Sequence, residues 1–230
     1  MRWMRLYLIS LMSVLISLTL SAQTEPILVT TAQDSSGFST VTIKNLGSSA
    51  LTAYAVTTSY NTRSSDGTIA AVHGEGITDA AVGPPTSPIQ PGQHGTFRPG
   101  GPYPQFKVEA AVWADGTTFG DPVWVHRILY GRQVAARHLD AVLRLLRNAL
   151  QLNTSVAEII RQAKNGERQV DAEKESVDEV VTVGRYYRDI QSSMATPPKQ
   201  PDGSPSTREQ TIQQLLARFQ RARDRLRPYE

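Results

Sequence analysis

Across residues 108–114, Val108, Ala110, Val112 and Ala114 alternate with Glu109, Ala111 and Trp113, the period of two that a half-buried strand requires. Past Pro122 the period changes. Val125, Ile128, Leu129, Ala136, Leu139, Val142, Leu143 and Leu146 recur at steps of three and four, which gathers them on one side of a helix. Between the two patterns stand Gly120, Asp121 and Pro122. Aspartate accepts from an unpaired amide of a first helical turn, and proline is tolerated at the first helical position because its missing N–H has no partner there. The pattern therefore predicts a strand-built part that ends at residue 121 and a helical part that begins at 122.

Asp115-Gly116 predicts a two-residue type I′ hairpin turn. That turn would pair Trp113 with Thr118 and Val112 with Phe119. Val108, Ala110, Val112 and Phe119 then form the core face, and Trp113 points the other way. Two readings of Trp113 follow: cover by the helix begun at Pro122 or a later one, or an exposed aromatic used for binding.

Upstream, residues 27–32, 38–46 and 51–60 read as strands rich in Val, Ile, Thr and Tyr, with weaker strands near 68–72 and 76–81. Residues 83–104 hold seven of the fourteen prolines, a density that leaves room for a short strand only, around 94–98. Short strands without crossover helices predict an antiparallel sandwich.

Downstream, Thr154 or Ser155 can cap a second helix, with a break expected at Asn165-Gly166. The helical pattern of 122–194 reads as a long hairpin. Residues 195–205 (ATPPKQPDGSP) read as an extended Pro-rich linker. Ser206-Thr-Arg-Glu209 forms a capping box ahead of an amphipathic helix over 206–230. Truncation after Met194 is expected to leave the sandwich folded and to change self-association or partner capture.

Composition adds compartment. Arg2 and Arg5 precede an apolar run from Leu6 to Leu20 that ends in small residues, the layout of a signal peptide over residues 1–22. This predicts an exported protein of the periplasm or extracellular space; retention as an anchor is the other reading. No cysteine is present, so disulfides and thiolate chemistry are excluded. Residues 23–121 carry four basic and eight acidic side chains, and residues 122–230 carry eighteen and thirteen, an asymmetry that suits either internal complementarity or an anionic partner.

Candidate chemistry is sparse. His73, Glu75 and Asp79 could seat a metal but lack a ligand spacing of known type, and no cofactor is expected. Asp171, Glu175 and Asp178 share a helical face, as paired carboxylates do, yet Arg168 and Lys174 flank them as on a solvated surface. Nothing resembles a nucleophile elbow or a phosphate loop. Arg221 and Arg225 on the last helix suit peripheral contact with anionic lipid or a partner groove, or a helix docked on its own domain with arginine stems covering apolar surface. Export and the lack of aromatic–basic interleaving argue against nucleic acid.

Residues 41–45 (VTIKN) into 51–54 (LTAY), the turn Ile89-Gln-Pro91-Gly92, and residues 113–121 (WADGTTFGD) together resemble a group of uncharacterised exported bacterial proteins with an immunoglobulin-like, fibronectin type III-like sandwich followed by helices. The likeness spans roughly residues 27–152. It implies an α+β fold with an N-terminal antiparallel immunoglobulin-like β-sandwich, and it carries no functional residue. The expected function is a non-catalytic binding or structural module of the cell envelope acting through a protein partner or self-association. Trp113, Trp124, Phe219, Arg221 and Arg225 are the candidate interaction surface. The alternative is a hydrolase that uses loop or inter-domain carboxylates.

Overall fold

A computed structural model of the protein describes residues 25–33, 39–63, 69–82, 87–97, 105–172 and 177–227. The expected leader, residues 1–22, lies outside them. Strands β1 (Ile27–Gln33), β2 (Ser39–Asn45) and β5 (His94–Phe97) form one sheet in the order β1-β2-β5. The other sheet runs β4-β3-β6-β7, built from β3 (Leu51–Arg63), β4 (Ile69–Asp79), β6 (Gln105–Trp113) and β7 (Thr118–Gly120). Every pairing is antiparallel. The two weak strands expected near 68–72 and 76–81 are one strand, β4, in unbroken register with β3.

The four-stranded sheet is covered on one face by the other sheet and on part of its opposite face by the first helix. Its inner face sets Leu51, Ala111 and Trp113 against Ile27 and Ile43 of the other sheet. Its outer face sets Ala53, Ala55, Ala110 and Val112 beneath Ile128 of the first helix. Alanines there let the helix approach closely. Two bulges decide which residue faces which way. The register with β6 slips between Leu51 and Ala53 and again between Ala55 and Val56, so Thr52 and Glu109 are the extra residues. A slip of one residue exchanges the faces. Val108 consequently lies with the sandwich core and Ala110 under the helix, whereas simple alternation put them together.

The β6–β7 turn corrects a second expectation. Its loop has three residues, 114–116: Trp113 N–H donates to Thr117 O at 2.9 Å, and Val112 pairs with Thr118. Gly116 takes φ +85°, the left-handed residue that closes a three-residue hairpin. The pairing is thus one residue off the two-residue turn, and Phe119 moves to the face of Trp113. Trp113 is buried by the facing sheet and not by a helix.

Helix α1 (Pro122–Gln151) starts as the sequence predicts, with Asp121 Oδ1 accepting from Val123 N–H at 2.7 Å and proline at its first position. Asn153, at φ 51°, turns the chain into α2 (Val156–Ala172). Helices α3 (Val177–Ala195) and α4 (Arg208–Leu226) follow. Together the four enclose a core with Leu139, Val142 and Leu146 of α1, Ile159 of α2, Ile190 of α3, and Ile212 and Phe219 of α4.

No break occurs at Asn165-Gly166. Helix α2 runs through it, and a Cβ on Gly166 would lie 2.2 Å from Tyr187 Cε1, so glycine is there to admit the α3 tyrosine. The connection over 195–205 is a tight hairpin and not an extended tether. Lys199 bridges Pro205, Ser206 N–H donates to Pro198 O at 2.8 Å, and Gly203 turns the chain at φ +82°. The capping box sits one residue later than expected, on Thr207 and Gln210, because Ser206 is buried.

Helix α1 belongs to both halves. Its first turns cover the sheet and its last turns enter the helical core. At the changeover Arg132 is 2% exposed and its partner Asp79, at the end of β4, 8%. Arg132 Nε donates to Asp79 Oδ2 at 2.7 Å, and Nη2 donates to Thr52 Oγ1 at 2.9 Å. Thr52 Oγ1 donates onward to Val112 O at 2.9 Å. The bulged Thr52 is therefore aimed at the helix.

Candidate interaction surface

Ahead of the first turn of α1 no described element covers the outer face of the sheet, which turns polar. Register places Thr57 beside Glu75 and Lys107, and Ser59 beside His73 and Gln105. These six residues line a shallow hollow of about 500 Å³. Glu109, the bulged residue of β6, accepts from Thr57 Oγ1 at 2.7 Å and from Lys107 Nζ at 2.6 Å. The Lys107 hydrogen bond, followed by that of Thr57, holds its carboxyl below the ordinary value of 4.5.

Arg127 of α1 reaches this hollow through Glu75, and Trp124 lies against Arg127. The Arg127 guanidinium carbon lies 4.2 Å from the centre of the Trp124 ring, a cation–π stack. The same guanidinium donates to Glu75 Oε1 at 3.2 Å. Trp124 is half-buried, with one side on the Ala53–Val112 cluster. It combines an anchored ring, a stacked arginine and neighbouring hydrogen-bonding groups.

A second hollow, about 420 Å³, lies at the end of the sandwich between Glu25, Gly47, Trp113, Asp115 and Phe119. Asp115 is committed to its turn: the bond from the Thr117 backbone amide lowers its pKa.

The structure scatters the five sequence-derived surface residues. Trp113 is a core residue whose Nε1 donates to Asn45 Oδ1 at 2.9 Å. Asn45 also donates to Ser49 O and Ile89 O, both at 2.8 Å, so tryptophan and asparagine together tie up one end of the sandwich. Phe219 is a core residue packed edge-on against Tyr186 at 5.9 Å. Neither can supply an outer surface. Arg221 and Arg225 are exposed on α4. Arg225 lies near Tyr186, whose hydroxyl is pushed up to about 12 by burial and drawn partly back by the arginine charge. Trp124 alone of the five is joined to the polar face, through Arg127.

The carboxylates proposed for chemistry have other partners. Glu75 is taken by Arg127 and Asp79 by Arg132, so both carboxylates are engaged by guanidinium groups. Among the described residues no group of three His, Cys, Asp or Glu side chains could hold a metal ion. The side chains of Asp171, Glu175 and Asp178 lie outside the described ones. Among the described helices none is long and apolar enough to cross a membrane, and the apolar side of α4 lies in the helical core. No family model, curated protein or solved structure matches the chain.

Sequence reasoning missed Arg127 and Arg132 as site residues, and it read Glu75 as a candidate metal ligand where the structure pairs it with Arg127. Arg132 had a signal, because it falls four residues after Ile128 and four before Ala136, on the apolar stripe itself. An arginine there requires a buried acid.

Proposed function

We propose that this chain is an exported, non-catalytic binding or structural module of the cell envelope, with an immunoglobulin-like sandwich, acting through protein contacts at the polar sheet face that Arg127 links to Trp124. The leader pattern of residues 1–22 supports export, and the strand, turn and helix order supports kinship with exported sandwich proteins. The observation that carries the contact surface is Trp124, half-buried and stacked by Arg127 at 4.2 Å beside an open hydrogen-bonding face. Trp and Arg are the residue types on which binding energy concentrates, and a ring already anchored loses little freedom on association. The surrounding charges suit contact better than catalysis. Glu75 and Glu109 each bond a cation, and the lowered pKa of Glu109 is the reverse of what a proton donor at neutral pH needs.

A photo-crosslinking residue at position 124, compared with one at Thr30 on the far sheet, tests this in the native envelope. Protein adducts at 124 and not at 30 are the expected result. Absence of adducts at 124, or equal yield at both positions, overturns the assignment. Loss of capture in a W124A variant should follow at about 30-fold or more, the size of a hot-spot truncation near 2 kcal/mol.

A further inference from the structure

We propose that the free edge of β4 pairs antiparallel with β4 of a second copy of this chain, about a two-fold axis beside Gly74. The inference rests on the reading that the protein works through protein contacts, and it names the partner. Strand β4 is 11 residues long and, among the described residues, hydrogen-bonds to β3 on one side only. The other edge of such a strand presents N–H and C=O groups without strand partners, and proteins that remain single protect long edges with lysine, proline, bulges or brevity. Strand β4 (IAAVHGEGITD) has no lysine and no proline, and its register with β3 is unbroken. The edges of β5 and β7, with 4 and 3 residues, are protected by brevity. Strand β1 has seven residues and no charge to choose a register.

Charge chooses it on β4. An axis at residue 74 sets His73 opposite Glu75 of the second copy, twice over. Moving the axis one residue either way opposes His73 to itself or Glu75 to itself. A hydrogen-bonding imidazole opposite a carboxylate favours the first arrangement, and like groups directly opposite disfavour the others. In the same register Ile69, 62% exposed, comes diagonally beside the second copy's Ile77, which packs with Trp124 in the outer-face cluster. Two four-stranded sheets then become one of eight strands, with the two polar faces side by side. The arrangement is isologous and closed, so it stops at two copies.

The chain has no cysteine, so introduced thiols report the pairing directly. On the axis, residue 74 sits opposite itself at about 4.5–5.5 Å between Cα atoms, within the span of about 4.4–6.8 Å that a disulfide accepts. A Cβ there meets Thr58 Oγ1 at 2.8 Å, a side-chain end that can rotate. The double variant A70C/T78C joins opposed residues without that contact and keeps His73 and Glu75 in place. With the chain expressed with its own leader, light scattering should give twice the monomer mass. Mild oxidation should trap dimers in G74C and in A70C/T78C, and not in T30C on β1. A71K should weaken dimerisation by about tenfold or more, as an edge charge does, with an unchanged thermal melt at a dilution where both proteins are monomeric. A monomer at every accessible concentration, trapping at 30 in place of 74 and 70/78, or an unaltered dimer in A71K each overturns the pairing. A monomer that still forms protein adducts at position 124 overturns this inference alone and leaves the contact surface standing.

Discussion

A charged pair withdrawn from water is held together by the cost of separating it. Asp79 and Arg132 are 8% and 2% exposed and joined at 2.7 Å, so removing the acid leaves a buried guanidinium without its counter-charge. D79N should lower stability by about 3–5 kcal/mol, read as a fall in the urea midpoint at constant slope. Replacing the pair together, as D79L/R132M, should recover most of that loss, because well-packed apolar substitutes for buried ion pairs are near neutral. A D79N loss below 1 kcal/mol would show that the pair is not essential to the joint. Gly120 is a second single-residue constraint. It stands at φ +96°, and a Cβ would lie 2.1 Å from Glu109 O, backbone that cannot rotate away. G120A should therefore cost several kcal/mol, and a melt within 2 °C of the parent would contradict the β6–β7 geometry. Glu109 sets a pH dependence. Its folded pKa is below the ordinary 4.5, so its contribution to stability is present above about pH 4.5 and disappears as pH falls through the lowered value. E109Q should flatten that acid limb in a pH series of urea midpoints, and an unchanged limb would remove Glu109 from the account.

At the scale of elements, what could be read from the chain depended on whether the signal was local. The start of α1 was legible because Asp121-Pro122 caps a helix by bonds to its own first turn. The β6–β7 turn was placed to within one residue. Asp-Gly fits two-residue and three-residue loops alike, and the choice depends on the facing sheet and on the Glu109 bulge, which is set by pairing with β3. The bulges reversed the faces of Val108 and Leu51 relative to their neighbours, and no alternation count detects that. Gly166 was misread for the same reason: its partner, Tyr187, is 21 residues away, so a packing glycine looked like a break. G166A tests the distinction. Helix propensity alone predicts a gain of about 1 kcal/mol. The contact with Tyr187 at 2.2 Å predicts a net loss, partly relieved by Y187A in the same chain. The surface was half legible. Trp124 was named from the sequence, while Glu75 and Arg127, 52 residues apart, meet only once α1 lies on the sheet.

The whole molecule is organised by α1, which covers the sheet with Ile128 and fills the helical core with Leu139, Val142 and Leu146. Helix α4 is part of that core and not an appendage. Removing residues after Met194 would expose the sites of Ile212, Leu215, Phe219 and Leu226, all buried. At about 1.5–3 kcal/mol for each large apolar side chain, the loss rivals the whole stability of a typical domain, about 5–15 kcal/mol. The truncated chain should lose its helical signal and aggregate, which replaces the expectation that only partner capture would change. A polar face can serve as a docking surface only if its frame is rigid, and because α1 contributes to both cores, sandwich and helices should unfold together. Trp3, Trp113 and Trp124 are the three tryptophans, so a W3F/W124F variant leaves Trp113 as a reporter of the sandwich interior. Its fluorescence and the helical circular dichroism should trace one coincident urea transition. Two separated transitions, with helices lost while Trp113 stays buried, would contradict a single frame built on α1.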